Sequence, residues 1–391
     1  MKPAYNTAWL DARRMAQYAD VWHRRKLMTD EQREAIRQAY PDGFYNPNVF
    51  IRIGLGFFCY ILLAAAQGLV WLMVGLSTNF SDDGLLSGVG LLTILLGGGC
   101  MLLLEATIRQ RHHYAAGLDD ILLYAGIGQV LGGVFMMAPD LNDPLPYLLV
   151  SLPALAFGAV RYLDRLLTAL AFFCGLSVVL LIVAKVPSIA LYLLPFAGMF
   201  SSAAVYYLAR RGLQRTDLRH WDGCLRVLEV LGSVFFYMSG NYWVIANAAG
   251  AFFGLPVVPL GWFFWIFTFA VPAAALYFGI RRKDRVLLWL GLGFVAAALA
   301  TFRAYFHVIP LAVAATLGGA VLFAVAYFSI RFLKKGRPGY TYEPDRQQEP
   351  FLGETESLVV AQAFSGTVHT PDQGVPAGGG RFGGGGAGGE F

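Results

Sequence analysis

The chain has 391 residues, 57% of them apolar and 14% charged, where a soluble domain carries roughly 25% charged residues. One water-facing core cannot hide that much apolar side chain, so an ordinary soluble enzyme, a disordered chain and a nucleic-acid binder are all excluded. The formal net charge of +5 reflects where the basic residues stand, not a nucleic-acid partner. The expectation is an all-α, polytopic transmembrane helix bundle in a lipid bilayer.

Residues 1–50 are read as a small cytoplasmic helical hairpin. Their apolar residues are scattered among charges, without the continuous apolar region or cleavage site of a signal peptide. One amphipathic helix is expected over about Ala8–Arg25. A second opens at Thr29, with Gln32 three residues on in a capping-box pattern, and stops before Pro41. The pair is too small to form a catalytic domain.

Residues 51–333 hold ten apolar stretches, each near the roughly 20 residues that a bilayer core of about 30 Å requires. They are Ile53–Leu76, Leu85–Leu104, Ile121–Ala138, Leu145–Val160, Leu166–Ala184, Val186–Ala209, Val230–Gly254, Gly261–Ile280, Val286–Phe302 and Val308–Ile330. The fourth and ninth are short enough to be tilted or partly re-entrant, and nine or eleven spans are the neighbouring counts. With the N-terminus inside, all but Lys185 and Arg303 of the 30 lysines and arginines fall on the cytoplasmic side, as basic residues near helix ends do. Both termini are therefore expected to be cytoplasmic. Trp71, Trp262, Trp265 and Trp289 fall at interface depths and read as anchors. Residues 334–391 form a polar segment ending in a glycine-rich run, read as a disordered cytoplasmic tail. The stretch Glu356–Phe364 is its one candidate helix.

Residues with chemistry are sparse. Cys59, Cys100, Cys174 and Cys224 sit in apolar surroundings without CxxC or metal-ligand spacing, and read as reduced core residues. There is no P-loop, GxSxG, HExxH or GxGxxG in a suitable context, so no catalytic residue, cofactor or metal is assigned. Gly97–Gly99 and Gly132-Gly133 lie inside helices, where glycine lets neighbours approach.

The seventh stretch is the most informative. Glu229, Ser233, Gly240 and Asn247 share a face at helical spacing, and Asn241 follows a Ser239-Gly240 pair able to kink a helix. These residues line a polar path with Glu229 near its cytoplasmic mouth, or else they are glue between helices. A second cluster joins Glu105, Arg109 and His112 on one helical face as a cytoplasmic ion-pair cap. Arg303, in an outer turn with Tyr305 and His307, is a candidate contact for an outer aspartate or an anionic ligand, or a snorkelling side chain.

The segment Val21–Pro41 (VWHRRKLMTDEQREAIRQAYP), followed by many apolar spans, resembles an uncharacterised family of bacterial polytopic inner-membrane proteins. Their N-terminal hairpin carries a W…T-x-E-Q pattern; Lys26 stands here where glycine is common. The closing GGGRFGGGGAGG is similar to the tails of TPM-domain membrane proteins, although the TPM domain is absent. The resemblance implies a bacterial inner-membrane location and supplies no catalytic residue. Two classes of function follow: a non-enzymatic membrane scaffold recruiting protein partners through residues 1–50 and 334–391, or a small-molecule transporter using a polar seventh helix. An intramembrane enzyme is third.

Overall fold

A computed structural model describes residues 2–24, 27–77, 85–138, 143–253 and 259–306, with six further helical positions between 316 and 331. The tail, almost all of the tenth stretch, His307 and the acidic residues Asp82, Asp83 and Asp140 lie outside the described residues. Within them the protein is all α-helical. Two N-terminal helices, α1 (Thr7–Arg24) and α2 (Asp30–Ala39), precede ten more. These are α3 (Val49–Ser77), α4 (Leu85–Arg111), α5 (Leu118–Met137), α6 (Leu145–Tyr162), α7 (Arg165–Ala184) and α8 (Pro187–Leu213). A 3-10 helix (Thr216–Trp221) leads into α9 (Asp222–Gly240), followed by α10 (Tyr242–Phe253), α11 (Gly261–Arg282) and α12 (Arg285–Tyr305).

Nine helices among the described residues are long and apolar enough to cross a bilayer. The two stretches expected to be short are full spans, at 18 residues for α6 and 21 for α12. The seventh is placed differently from the expectation. Its helix runs through Gly240 from the 3-10 turn, and Asn241 adopts an extended conformation (φ −74°, ψ 127°) that ends it. The 12-residue α10 is about 18 Å long and too short to cross. The Ser239-Gly240 pair, expected to kink the helix, stands at this break, which goes further and ends the helix.

Packing explains the arrangement. Between α4 and α5, a Cβ on Gly97 would stand 2.8 Å from the Gly126 carbonyl, and one on Gly90 2.7 Å from that of Gly133. Two glycine pairs, seven residues apart on each helix, thus let the backbones touch. Gly98, Gly99 and Gly132 meet nothing within 4 Å and serve no such contact. Helix α9 is central, packing against α7, α8, α10, α11 and α12. Helix α3 is peripheral, with Phe57, Phe58, Tyr60 and Leu62 exposed, the surface a bilayer covers. Trp262 and Trp289 are likewise exposed near helix starts, whereas Trp265 turns inward and stacks on Tyr242 at 4.6 Å.

Two hairpins share one turn. Helices α6 and α7 are joined by Leu163 and Asp164, and α11 and α12 by Lys283 and Asp284. Leu163 and Lys283 are both left-handed at φ 56°. The two aspartates each accept a free amide in the first turn of the next helix, from Leu167 at 2.7 Å and from Leu287 at 3.1 Å. Such a cap contributes about 1 kcal/mol. These turns lie at one end of the bundle, together with the α4–α5 loop, the 3-10 helix and α1; this is the basic end.

Candidate functional site

Three places concentrate the molecule's chemistry: a polar node where α9 breaks, a charged bridge at the basic end, and an apolar cavity between them and α6.

At the break, Asn241 is 3% exposed and does three things at once. Its Oδ1 accepts from the amides of Trp243 and Val244 at 3.0 and 3.4 Å, capping α10. Its Nδ2 donates to the Tyr237 phenol at 3.1 Å and the Thr301 hydroxyl at 3.0 Å. The amide of Tyr242 donates to the Thr268 hydroxyl at 3.0 Å, and the Tyr237 phenol reaches the carbonyls of Thr268 and Phe294 at 3.3 and 3.2 Å. The Asn241 and Thr268 side chains therefore take up backbone amides that the interrupted helix frees, as an apolar surrounding demands, while Tyr237 and Thr301 hold the Asn241 amide. Thr268 lies near the start of α11 and Thr301 near the end of α12, so the node belongs to the end of the bundle opposite the basic one.

The expected common face is divided by the break. Ser233 is buried and donates to the Glu229 carbonyl at 2.8 Å. Asn247, on α10, is exposed and donates to the Trp243 carbonyl at 2.7 Å. A single periodicity across residues 229–247 holds only for one continuous helix.

Glu229 belongs to a different assembly. Only 8% exposed, it accepts from Arg210 of α8 at 3.1 Å. The same guanidinium nitrogen lies 2.7 Å from Asp284, the residue that caps α12, and 2.9 Å from the Tyr206 phenol. One arginine thus ties α8, α9 and the α11–α12 turn together. A buried carboxylate needs such a partner to remain charged.

The Glu105 cluster also recruits across helices. Its principal partner is Arg161 at the end of α6, whose Nη2 lies 3.0 and 3.2 Å from the two carboxylate oxygens. The Tyr162 phenol donates to it at 3.1 Å, and Arg109 stands 3.4 Å away. His112 does not continue this face. It follows the last residue of α4 in a left-handed conformation (φ 54°) and meets Trp9 edge-on at 4.7 Å. Arg303, near the end of α12, has one guanidinium nitrogen buried without a hydrogen-bond partner among the described residues.

Residues 2–24 are clamped over the basic end. The amide of Ala4 donates to the Arg161 carbonyl at 2.7 Å. Arg14 pairs with Asp222 at 2.5 Å, and Arg219 with Asp11 at 2.5 Å. Tyr5 packs against Tyr114 at 4.9 Å, and burial, reinforced by the Asp119 charge, holds its phenol well above the ordinary range. On α2 the capping box between Thr29 and Gln32 is formed, and Arg37 reaches back to Asp20 of α1 at 2.9 Å. Tyr18, Trp22 and Leu27 remain exposed.

The cavity occupies about 610 Å³ between α6, α7, α8, the 3-10 helix and α9. Its walls include Ala156, Phe172, Leu176 and Val205, and Trp221 stands at its basic end, where its indole donates to the Val160 carbonyl at 2.9 Å. Arg210, Tyr237, Thr268, Thr301 and Asp284 escaped the sequence reading. Each is defined by a partner on another helix, and only the Asp-Arg pair opening α7 and α12 left a local trace.

Compared with protein-family models, with curated proteins and with solved structures, the chain matches none.

Proposed function

We propose that this multi-pass membrane protein is a non-catalytic scaffold that recruits a protein partner at its basic end, in a bacterial inner membrane with that end cytoplasmic. The observation that carries this reading is the clamp of residues 2–24 across the ends of α4, α6 and α9. It fixes α1, which holds α2 through Arg37 and Asp20, as a platform on which Tyr18, Trp22, Leu27, Glu31 and Glu34 are exposed. Helix α2 buries no residue against the rest of the chain, and a preorganised surface loses little entropy when a partner docks. The orientation rests on the skewed lysines and arginines, and the bacterial setting on the resemblance of Val21–Pro41.

The test is in-cell photo-cross-linking from a benzophenone side chain placed at Trp22 or Leu27. A discrete protein adduct is expected from both positions, absent from the lipid-facing Phe200, and lost when Glu31 and Glu34 become lysine. Failure of both positions to yield an adduct overturns the reading.

A second reading, a small-molecule transporter, is favoured by the helix broken at Asn241, since transporters place such breaks beside their substrates. It requires Ser233→Cys and Asn247→Cys to react with small hydrophilic thiol reagents in a background without the native cysteines. It also requires Glu229→Gln to alter uptake. The spent hydrogen bonds of Ser233 favour the scaffold.

A further inference from the structure

The cavity between α6 and α9 has the size and composition of a ligand site. Its volume of about 610 Å³ falls within the roughly 300–1,000 Å³ of small-molecule pockets, which are mostly apolar with a few placed polar groups. Three hydroxyls stand in its walls. Thr168 donates to the Asp164 carbonyl at 2.6 Å and Ser201 to that of Ala197 at 2.7 Å, so both are spent on their own helices. Ser202 is fully buried, and its hydroxyl has no hydrogen-bond partner among the described residues. With no accessible surface it is closed off from the cavity, so a partner there meets an apolar wall.

The surroundings narrow what that partner is. The walls belong to membrane-spanning helices, so the molecule nearest to hand is a lipid. At the basic end the Arg165 guanidinium lies over Gly223, next to the wall residue Cys224; a Cβ on Gly223 would stand 2.8 Å from its Nε. Arg165 is exposed and makes no ion pair among the described residues. We propose that the cavity takes one acyl chain of an anionic phospholipid. The lipid's phosphate lies toward Arg165, as basic pockets between spans hold anionic headgroups. The site is separate from the platform on α1 and α2 and does not depend on the scaffold reading.

The experiment uses the full chain in detergent, stripped of lipid, then titrated with phosphatidylglycerol or phosphatidylcholine and read by native mass spectrometry. Wild type is expected to retain one phosphatidylglycerol in preference to phosphatidylcholine. Ala171→Phe or Val205→Phe fills the cavity and lowers that occupancy by about tenfold at an unchanged melting temperature. Arg165→Gln abolishes the headgroup preference while keeping the lipid. Equal binding of the two lipids by wild type, or undiminished binding by a folded cavity-filled variant, overturns the proposal. Should neither filled variant fold, chain-brominated phosphatidylglycerol decides: it must quench wild type more than Trp221→Phe, and equal quenching overturns the proposal.

Discussion

The hairpins α6–α7 and α11–α12 turn on the same device, a left-handed residue followed by an aspartate that caps the next helix and an arginine that opens it. Asp164 gives its remaining oxygen to a neutral partner, the Tyr124 phenol at 2.9 Å. Asp284 gives its own to Arg210, which also holds Glu229. The first turn therefore ends in a neutral bond to α5. The second is joined to α8 and α9 through charge. Their flanks differ too: beside α6–α7 there is an apolar cavity, whereas α11–α12 closes on α9 through Tyr237, which stacks on Phe294 at 4.5 Å. Identical turn chemistry thus sets the angle of a hairpin and leaves its wider role to the residues it meets.

The comparison breaks most easily at the charged turn. Asp284→Ala removes a cap and one of two carboxylates on a half-buried arginine, and is expected to cost about 3 kcal/mol. Asp164→Ala loses a cap and one phenol hydrogen bond, about 2 kcal/mol. Thermal unfolding in detergent ranks the two, and a larger loss at Asp164 would show that the bridge carries no special weight. The conservative pair is sharper. Asp164→Asn keeps the cap through its Oδ1, and its amide donates to the Tyr124 phenol oxygen instead of accepting from it, so it should cost less than about 0.5 kcal/mol, while Asp284→Asn, which removes charge beside Arg210, should cost about 1–2 kcal/mol.

At the far end, Thr301→Val strips the hydroxyl that Asn241 uses and should cost about 1–2 kcal/mol. Thr168→Val on the other hairpin loses a bond to its own turn and a contact with the Cys224 thiol, and should cost less; equal losses would sink the distinction. The smallest effect concerns the open end of α6–α7, where Lys185 donates to Asp143. That hydrogen bond holds the Asp143 carboxyl below its usual range. Because the folded value is depressed, the stabilisation is present above the unfolded value near 3.9 and is lost as pH falls through the folded one. Asp143→Asn should lower stability slightly at neutrality, where the pair is charged, and flatten the profile below about pH 4.

How much of this was legible in the sequence depends on the range of the interaction concerned. Apolar runs located nine spans because bilayer thickness imposes length on each helix separately. The capping box at Thr29 was legible for the same reason, since both partners lie within one turn. The i,i+4 neighbour Arg109 was visible beside Glu105, but Arg161, from another helix, is closer. The start of α9 was hidden because Cys224 and Glu229 are buried by neighbouring helices rather than by hydrophobic sequence. Its end was signalled by Ser239-Gly240, but that the helix stops there was hidden, because Thr301, which meets Asn241, and Thr268, which meets the Tyr242 amide, sit in later spans.

The clamp over the basic end has a consequence for biogenesis. Arg14 meets Asp222 across 208 residues of chain, so α1 leaves the ribosome long before its docking surface exists. Six spans must be inserted first, and contacts of such separation form late. During that interval Tyr5, Trp9 and Arg14 are open to whatever binds an emerging helix, and closure of the clamp marks the moment the bundle through α9 has assembled. Pulse-labelled protein should therefore pass from protease-sensitive to protease-resistant at residues 2–24 in a single late step.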